Sequence, residues 1–180
     1  MFQNIHTTLS ARFPSKKEIY LVFAACVFPI HLWAIIVTIF EVPALIKRAN
    51  ILEIFSVFAY VLAITLLESL ILLCFLVVSS LMLPQNIFRD RFIASSTIFA
   101  FITSIWVISL HFQGLYIQNL YLVPYVLILL FCFILIYRFK NIEKAIITFV
   151  DKLTPLSYTY VFLDIVGILI IIFRNLFNPS

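Results

Sequence analysis

The chain reads as long apolar runs separated by short polar breaks, with helical spacing throughout. Phe2, Ile5, Leu9 and Phe13 recur at helical intervals with Arg12 and polar residues between them, the pattern of a segment lying along a membrane surface. Pro14 ends it. Ser15 and Glu18 stand three apart, as a capping box requires, so a first spanning helix is expected over 16–40. A polar connection follows from Glu41 to Asn50, and then Ile51 to Leu83 runs 33 residues without glycine or proline. Two crossings would need about 40 residues plus a turn, so this run makes one long crossing that must tilt strongly or extend beyond the bilayer. Pro84, Gln85 and Asn86 break it. Further crossings are expected over 92–112 and 120–139, joined by a Gln113–Asn119 turn containing Gly114.

Between Lys140 and Leu153 the pattern changes. Ile142, Ala145, Ile146, Phe149, Val150 and Leu153 make one apolar stripe, opposed by Lys140, Glu143, Lys144, Asp151 and Lys152, which predicts an amphipathic interfacial helix over 140–153. Thr154-Pro155 is expected to break it before a last crossing over 156–177. The fold class that follows is all-α: a polytopic integral membrane helical bundle of five transmembrane helices plus a cytoplasmic-side interfacial helix. Residues 1–14 form an N-terminal interfacial segment and 15–180 a single transmembrane domain.

Composition supports lipid as the solvent. Of 180 residues, 64% are hydrophobic and 11% charged, against roughly 45–50% and about 25% in an ordinary soluble domain. The apolar runs are continuous and do not alternate, which favours helices over barrel strands. The first run is longer than a secretory signal core and lacks a small-x-small cleavage site, so it is expected to stay as an anchor. Cys26, Cys74 and Cys132 all lie inside apolar runs and read as small fillers, not as a disulfide or metal set.

The net charge of +4 points to topology, with no nucleic acid among the expected partners. Arg12, Lys16, Lys17, Arg89, Arg91, Arg138, Lys140, Lys144 and Lys152 fall on one side, and Lys47, Arg48 and Arg174 on the other. Nine against three places the N-terminus in the cytoplasm and the C-terminus outside. Tyr116, Tyr121 and Tyr125 would then belong to the outer aromatic belt. A prokaryotic inner membrane is the expected location.

Ionisable groups at depth are the candidates for function, because a charge at the bilayer centre costs about 2.5–3.5 kcal/mol even on insertion scales. His31, Glu68 and Asp164 each sit near the middle of an expected span, with no lysine or arginine at that depth. Each belongs to a polar seam: Ala24, His31 and Thr38; Glu53, Thr65, Glu68 and Ser79; Ser157, Tyr160, Asp164 and Gly167. Thr97, Ser104 and His111 make a fourth, while the helix over 120–139 has none and is placed at the lipid-facing periphery. The cluster reads in two ways. Neutral carboxyls, hydroxyls and histidine serve as interhelical glue, or the three groups carry a proton or cation, for which histidine's titration near neutrality is suited.

A weaker outer-surface set, Glu41, Glu53 and His111, is a candidate for a metal or lipid head group, weighed against simple solvated helix ends. Ala59 and Ala63, four apart, and Gly167 permit close helix packing. The two alanines lie well around the helix from Glu68, so that helix offers two packing faces. No nucleophile with a base, metal-ligand motif or phosphate cradle is present, which argues against an enzyme, and no cofactor is implied. The leading expectation is a non-catalytic subunit or accessory partner of a membrane complex, bound to lipid and to another membrane protein or further copies of itself. The alternative is a small oligomeric proton- or cation-coupled transporter or channel using His31, Glu68 and Asp164.

Overall fold

The computed structural model describes residues 13–83, 88–113 and 119–177. The first twelve residues, the Pro84–Asn86 break, Gly114 and Tyr116 lie outside the described residues, as does the side chain of Tyr121. The fold is all-α, with five helices among the described residues: α1 (Lys16–Ile46), α2 (Ile51–Met82), α3 (Phe92–Gln113), α4 (Asn119–Arg138) and α5 (Lys140–Phe177). No strand occurs among the described residues.

Four of the helices, α1, α2, α3 and α5, are long and apolar enough to cross a membrane. The 20 residues of α4 rise about 30 Å, just the thickness of a hydrocarbon core. Large apolar side chains such as Phe40, Leu52, Leu67, Leu127, Phe131 and Phe162 are exposed along these helices. Water would penalise that surface, and acyl chains would solvate it. The molecule is a multi-pass membrane helical bundle.

The capping box at the start of α1 is present: Ser15 N donates to Glu18 Oε2 at 2.7 Å, and Glu18 N donates to Ser15 Oγ at 3.3 Å. The far end of α1 differs from expectation. It continues past Phe40 through Glu41 and Pro43 to Ile46, so the polar connection shrinks to residues 47–50. A proline forfeits only one ladder bond, and Ala44, Leu45 and Ile46 are able to extend the helix around it.

The break expected at Thr154-Pro155 is likewise absent. The stripe over 140–153 and the last crossing form a single helix of 38 residues, about 57 Å long, with Pro155 inside it. Hydroxyls flank the proline: Thr154 Oγ1 donates to the Val150 carbonyl at 3.3 Å and Ser157 Oγ to the Thr154 carbonyl at 2.7 Å. Pro155 costs the helix only the bond to the Asp151 carbonyl, and the two hydroxyl bonds reinforce the turns on either side of it. Tertiary packing holds the segment as well. Val150 is fully buried beside Leu21 and Ala25 of α1, Ile146 packs on the same cluster, and the Phe149 and Phe101 rings lie 5.7 Å apart. The apolar stripe over 140–153 therefore meets α1 and α3 along part of its length.

The core of the bundle is α1. In its most apolar window 44% of residues are buried, against 17% in α2 and in α5, because α2, α3 and α5 all pack around it. Small residues make this possible: Ala24, Ala25 and Cys26 are fully enclosed. Contacts fix the directions. The level of Phe28 on α1 is matched by Phe101 on α3, and that of Trp33 by His111, so α1 and α3 run parallel. Val22 and Cys26 pack near Leu76 of α2, which runs the opposite way. The peripheral helix is α4, which packs on α3 and less extensively on α5.

Candidate functional site

His31 and Asp164 meet at the centre of the α1/α5 interface. Nε2 of His31 lies 2.9 Å and 3.1 Å from the two carboxyl oxygens, and both side chains are completely buried. Each element presents its residue on the inward face. The heptad Ala24, His31 and Thr38 is buried on α1, and Ser157, Asp164 and Gly167 are buried on α5. The second ring nitrogen, Nδ1, is 3.0 Å from the Val27 carbonyl. A carbonyl accepts and never donates, so Nδ1 bears a hydrogen. One further proton lies between Nε2 and the carboxyl. Whichever atom holds it, the pair is neutral overall, which is how an ionisable couple becomes tolerable at membrane depth. The Tyr160 ring lies against the imidazole, tilted by 32° with the centroids 5.1 Å apart.

Glu68 does not join them. Its side chain is exposed, on the far side of α1 from His31, in a half-open groove of about 260 Å³. The groove runs between α2 and α3 with α1 as its floor. Glu68 and Leu72 come from α2, Pro29 and Ile30 from α1, and Thr103 and Val107 from α3. The three-residue cluster expected from the sequence thus divides into a sealed pair and a separate carboxylate. The cause is the buried stripe that α2 chooses: Ser56, Ala59, Thr65, Ser69, Leu76 and Ser80. Small side chains let helices approach, so Ser69 faces inward and its neighbour Glu68, about 100° around the helix, does not.

Most hydroxyls of the seams do not act as glue between helices. Thr38, Thr65, Ser79, Thr97 and Ser157 donate to carbonyls three or four residues back in their own helices. The interhelical polar contacts are fewer and different. Thr103 Oγ1 and Tyr125 Oη lie 2.8 Å apart between α3 and α4, and Arg174 donates to Ser56 between α5 and α2.

The outer set, Glu41, Glu53 and His111, does not assemble a metal site: among the described residues no three His, Cys, Asp or Glu side chains come together for one. Glu53 Oε2 accepts from Asn50 N at 3.0 Å and so caps α2, while His111 meets the Trp33 ring edge-on at 5.3 Å. Glu41 is exposed near the end of α1. Of the packing residues, Ala59 is buried against Gly167, where a Cβ would sit 3.1 Å from the Ala59 carbonyl oxygen. Ala63, one turn further along, is half-buried. The small-residue face of α2 is therefore occupied by α5, and the Glu68 face is the one left open.

A charged cluster at the other end went unrecognised in the sequence, where its arginines served only to set topology. Arg91 donates to the Ile136 carbonyl, lies 3.5 Å from Glu143 and covers the Tyr137 ring at 5.3 Å. Arg89 pairs with Glu18 at 3.1 Å and reaches the Phe13 carbonyl at 3.3 Å. Together they join α1, α3, α4 and α5. Only the spacing of Arg89 and Arg91 between two apolar runs could have signalled this. Compared with models of protein families, with characterised proteins and with solved structures, the chain matches none of them.

Proposed function

We propose that the chain is a non-catalytic membrane subunit or accessory partner that associates with another membrane protein through the open α2/α3 side. The observation that carries this reading is Glu68: a carboxylate near mid-span, exposed from the bundle, with no hydrogen-bond donor of the described chain on it. An ionisable group facing lipid at that depth is costly, and such groups face a partner or a cavity. The sealed His31/Asp164 pair adds support, since a couple with no exposed surface suits holding helices together better than exchanging protons. That consideration weighs against the proton- or cation-coupled alternative.

The same reading puts the N-terminus in the cytoplasm of a prokaryotic cell and the C-terminus outside. The orientation is supported by the charge distribution: Arg89, Arg91, Arg138 and Lys140 gather at the end where α1 begins, and Lys47, Arg48 and Arg174 at the end where α1 finishes. The test is extraction of the tagged chain from its own membrane into native nanodiscs with mass determination of the intact particle. A complex with a second membrane protein in fixed stoichiometry is expected. A particle holding this chain alone, as one copy or several, would overturn the proposal.

A further inference from the structure

The groove at Glu68 has a chemistry that specifies its occupant. Glu68 lies 17 residues from the start of α2 and 14 from its end, about 26 Å and 21 Å along the axis, so it is close to the middle of the span. Around it the walls are mainly apolar, with Ile30, Leu72 and Val107 on three helices; of the two hydroxyl residues there, Thr103 is engaged with Tyr125 and Ser104 lies beside it. Its volume, about 260 Å³, is enough to take side chains of a passing helix. The opening exists because α2 and α3 barely touch and are held apart by α1.

A second copy of this chain does not complete the site. Among the described residues no lysine or arginine is level with the His31/Asp164 pair: Lys152, the furthest inside a helix, stands twelve residues and about 18 Å from Asp164 along α5. Arg174 is committed to Ser56, twelve residues and about 18 Å from Glu68 along α2. The one cationic candidate at mid-depth, His31, is sealed against Asp164. Among the described residues a copy has no free mid-span cation to set against Glu68. We infer that the α2/α3 groove receives a transmembrane helix of a different protein that carries a lysine, arginine or histidine near the middle of its span, paired with Glu68. The inference rests on the subunit reading above and names the chemistry of the partner. Charge complementarity of this kind is the strongest selector available in lipid, where apolar faces alone discriminate poorly.

The test uses the full chain in nanodiscs and two synthetic single-span leucine-alanine helices, one with a central lysine and one with leucine there. Binding is read by energy transfer between labelled peptide and protein. The lysine helix is expected to bind at least tenfold more tightly than the leucine helix, and Glu68→Gln to remove that preference. Leu72→Trp, which fills the groove from a neighbouring position, should weaken the lysine helix equally, so the test survives if either variant fails to fold. Equal binding of both helices, no binding of either, or a homodimer formed through the groove would each overturn the inference. A native partner whose association is indifferent to Glu68→Gln would overturn this inference alone, whereas the absence of any native partner would overturn the subunit reading.

Discussion

Removing His31 should destabilise the bundle far more than changing Asp164 to asparagine, and the sealed geometry supplies the magnitude. In His31→Ala the Asp164 carboxyl, fully buried on α5, loses the only hydrogen-bond partner it has among the described residues. Whether ionised or protonated, it then has an unmet polar atom in a site from which water is excluded. Breaking a buried pair in this way costs about 3–5 kcal/mol. Polar contacts between membrane helices are usually weaker, about 0.6 kcal/mol on average and about 1.7 at most, because the separated helices find other partners. Complete burial of both groups places this pair above that range. In Asp164→Asn the side-chain amide can donate to Nε2 while Nδ1 keeps its hydrogen on the Val27 carbonyl, so every polar atom of the imidazole stays satisfied and the cost should be under about 1 kcal/mol. Reversible unfolding in bicelles, by steric trapping with each variant and the double substitution, measures both values and their coupling. A His31→Ala penalty within about 1 kcal/mol of wild type, or an Asp164→Asn penalty equal to that of His31→Ala, would refute the reasoning.

Further outcomes follow from the packing. Gly167→Val places a Cβ about 3.1 Å from the Ala59 carbonyl oxygen and 3.4 Å from its Cα, backbone atoms that cannot swing aside, so α2 and α5 must part. A loss of about 1–3 kcal/mol is expected in the same unfolding assay. Glu68→Gln should leave the stability of the isolated chain within about 0.5 kcal/mol, since no described residue bonds to it; a larger change would mean that Glu68 has a structural role inside the chain. Arg91→Met removes the bonds to Ile136 and Glu143 that tie α3 to α4 and α5, and should cost about 1.5–3 kcal/mol with increased amide exchange at the start of α5.

The sequence made some of this legible and concealed the rest for physical reasons. Span positions were readable because lipid demands about 20 apolar residues per crossing, and the Ser15/Glu18 box because its chemistry is local. The burial of His31 and Asp164 also follows from depth, since an ionisable group there has few alternatives to a partner. The face of Glu68 was not legible. Its seam with Glu53, Thr65 and Ser79 was drawn by polarity, whereas α2 packs by size, and Ser56, Ala59, Ser69 and Ser80 allow closer approach than a glutamate does. Polarity misled over Glu41–Asn50 and proline at Pro155, because a helix held by its neighbours outlasts one missing bond and a few polar positions. Nor could charge counting show that Arg89 and Arg91 are engaged in ion pairs.

The most direct test of the subunit reading is site-specific photocrosslinking in the native membrane. A crosslinker replacing Val107, an exposed residue on the groove wall, is compared with one replacing Ile172, exposed on α5. The account predicts that position 107 captures one membrane protein through a peptide bearing a basic residue near mid-span, that Glu68→Gln abolishes the adduct, and that position 172 does not capture it. Crosslinks from position 107 only to lipid or to further copies of this chain would contradict it.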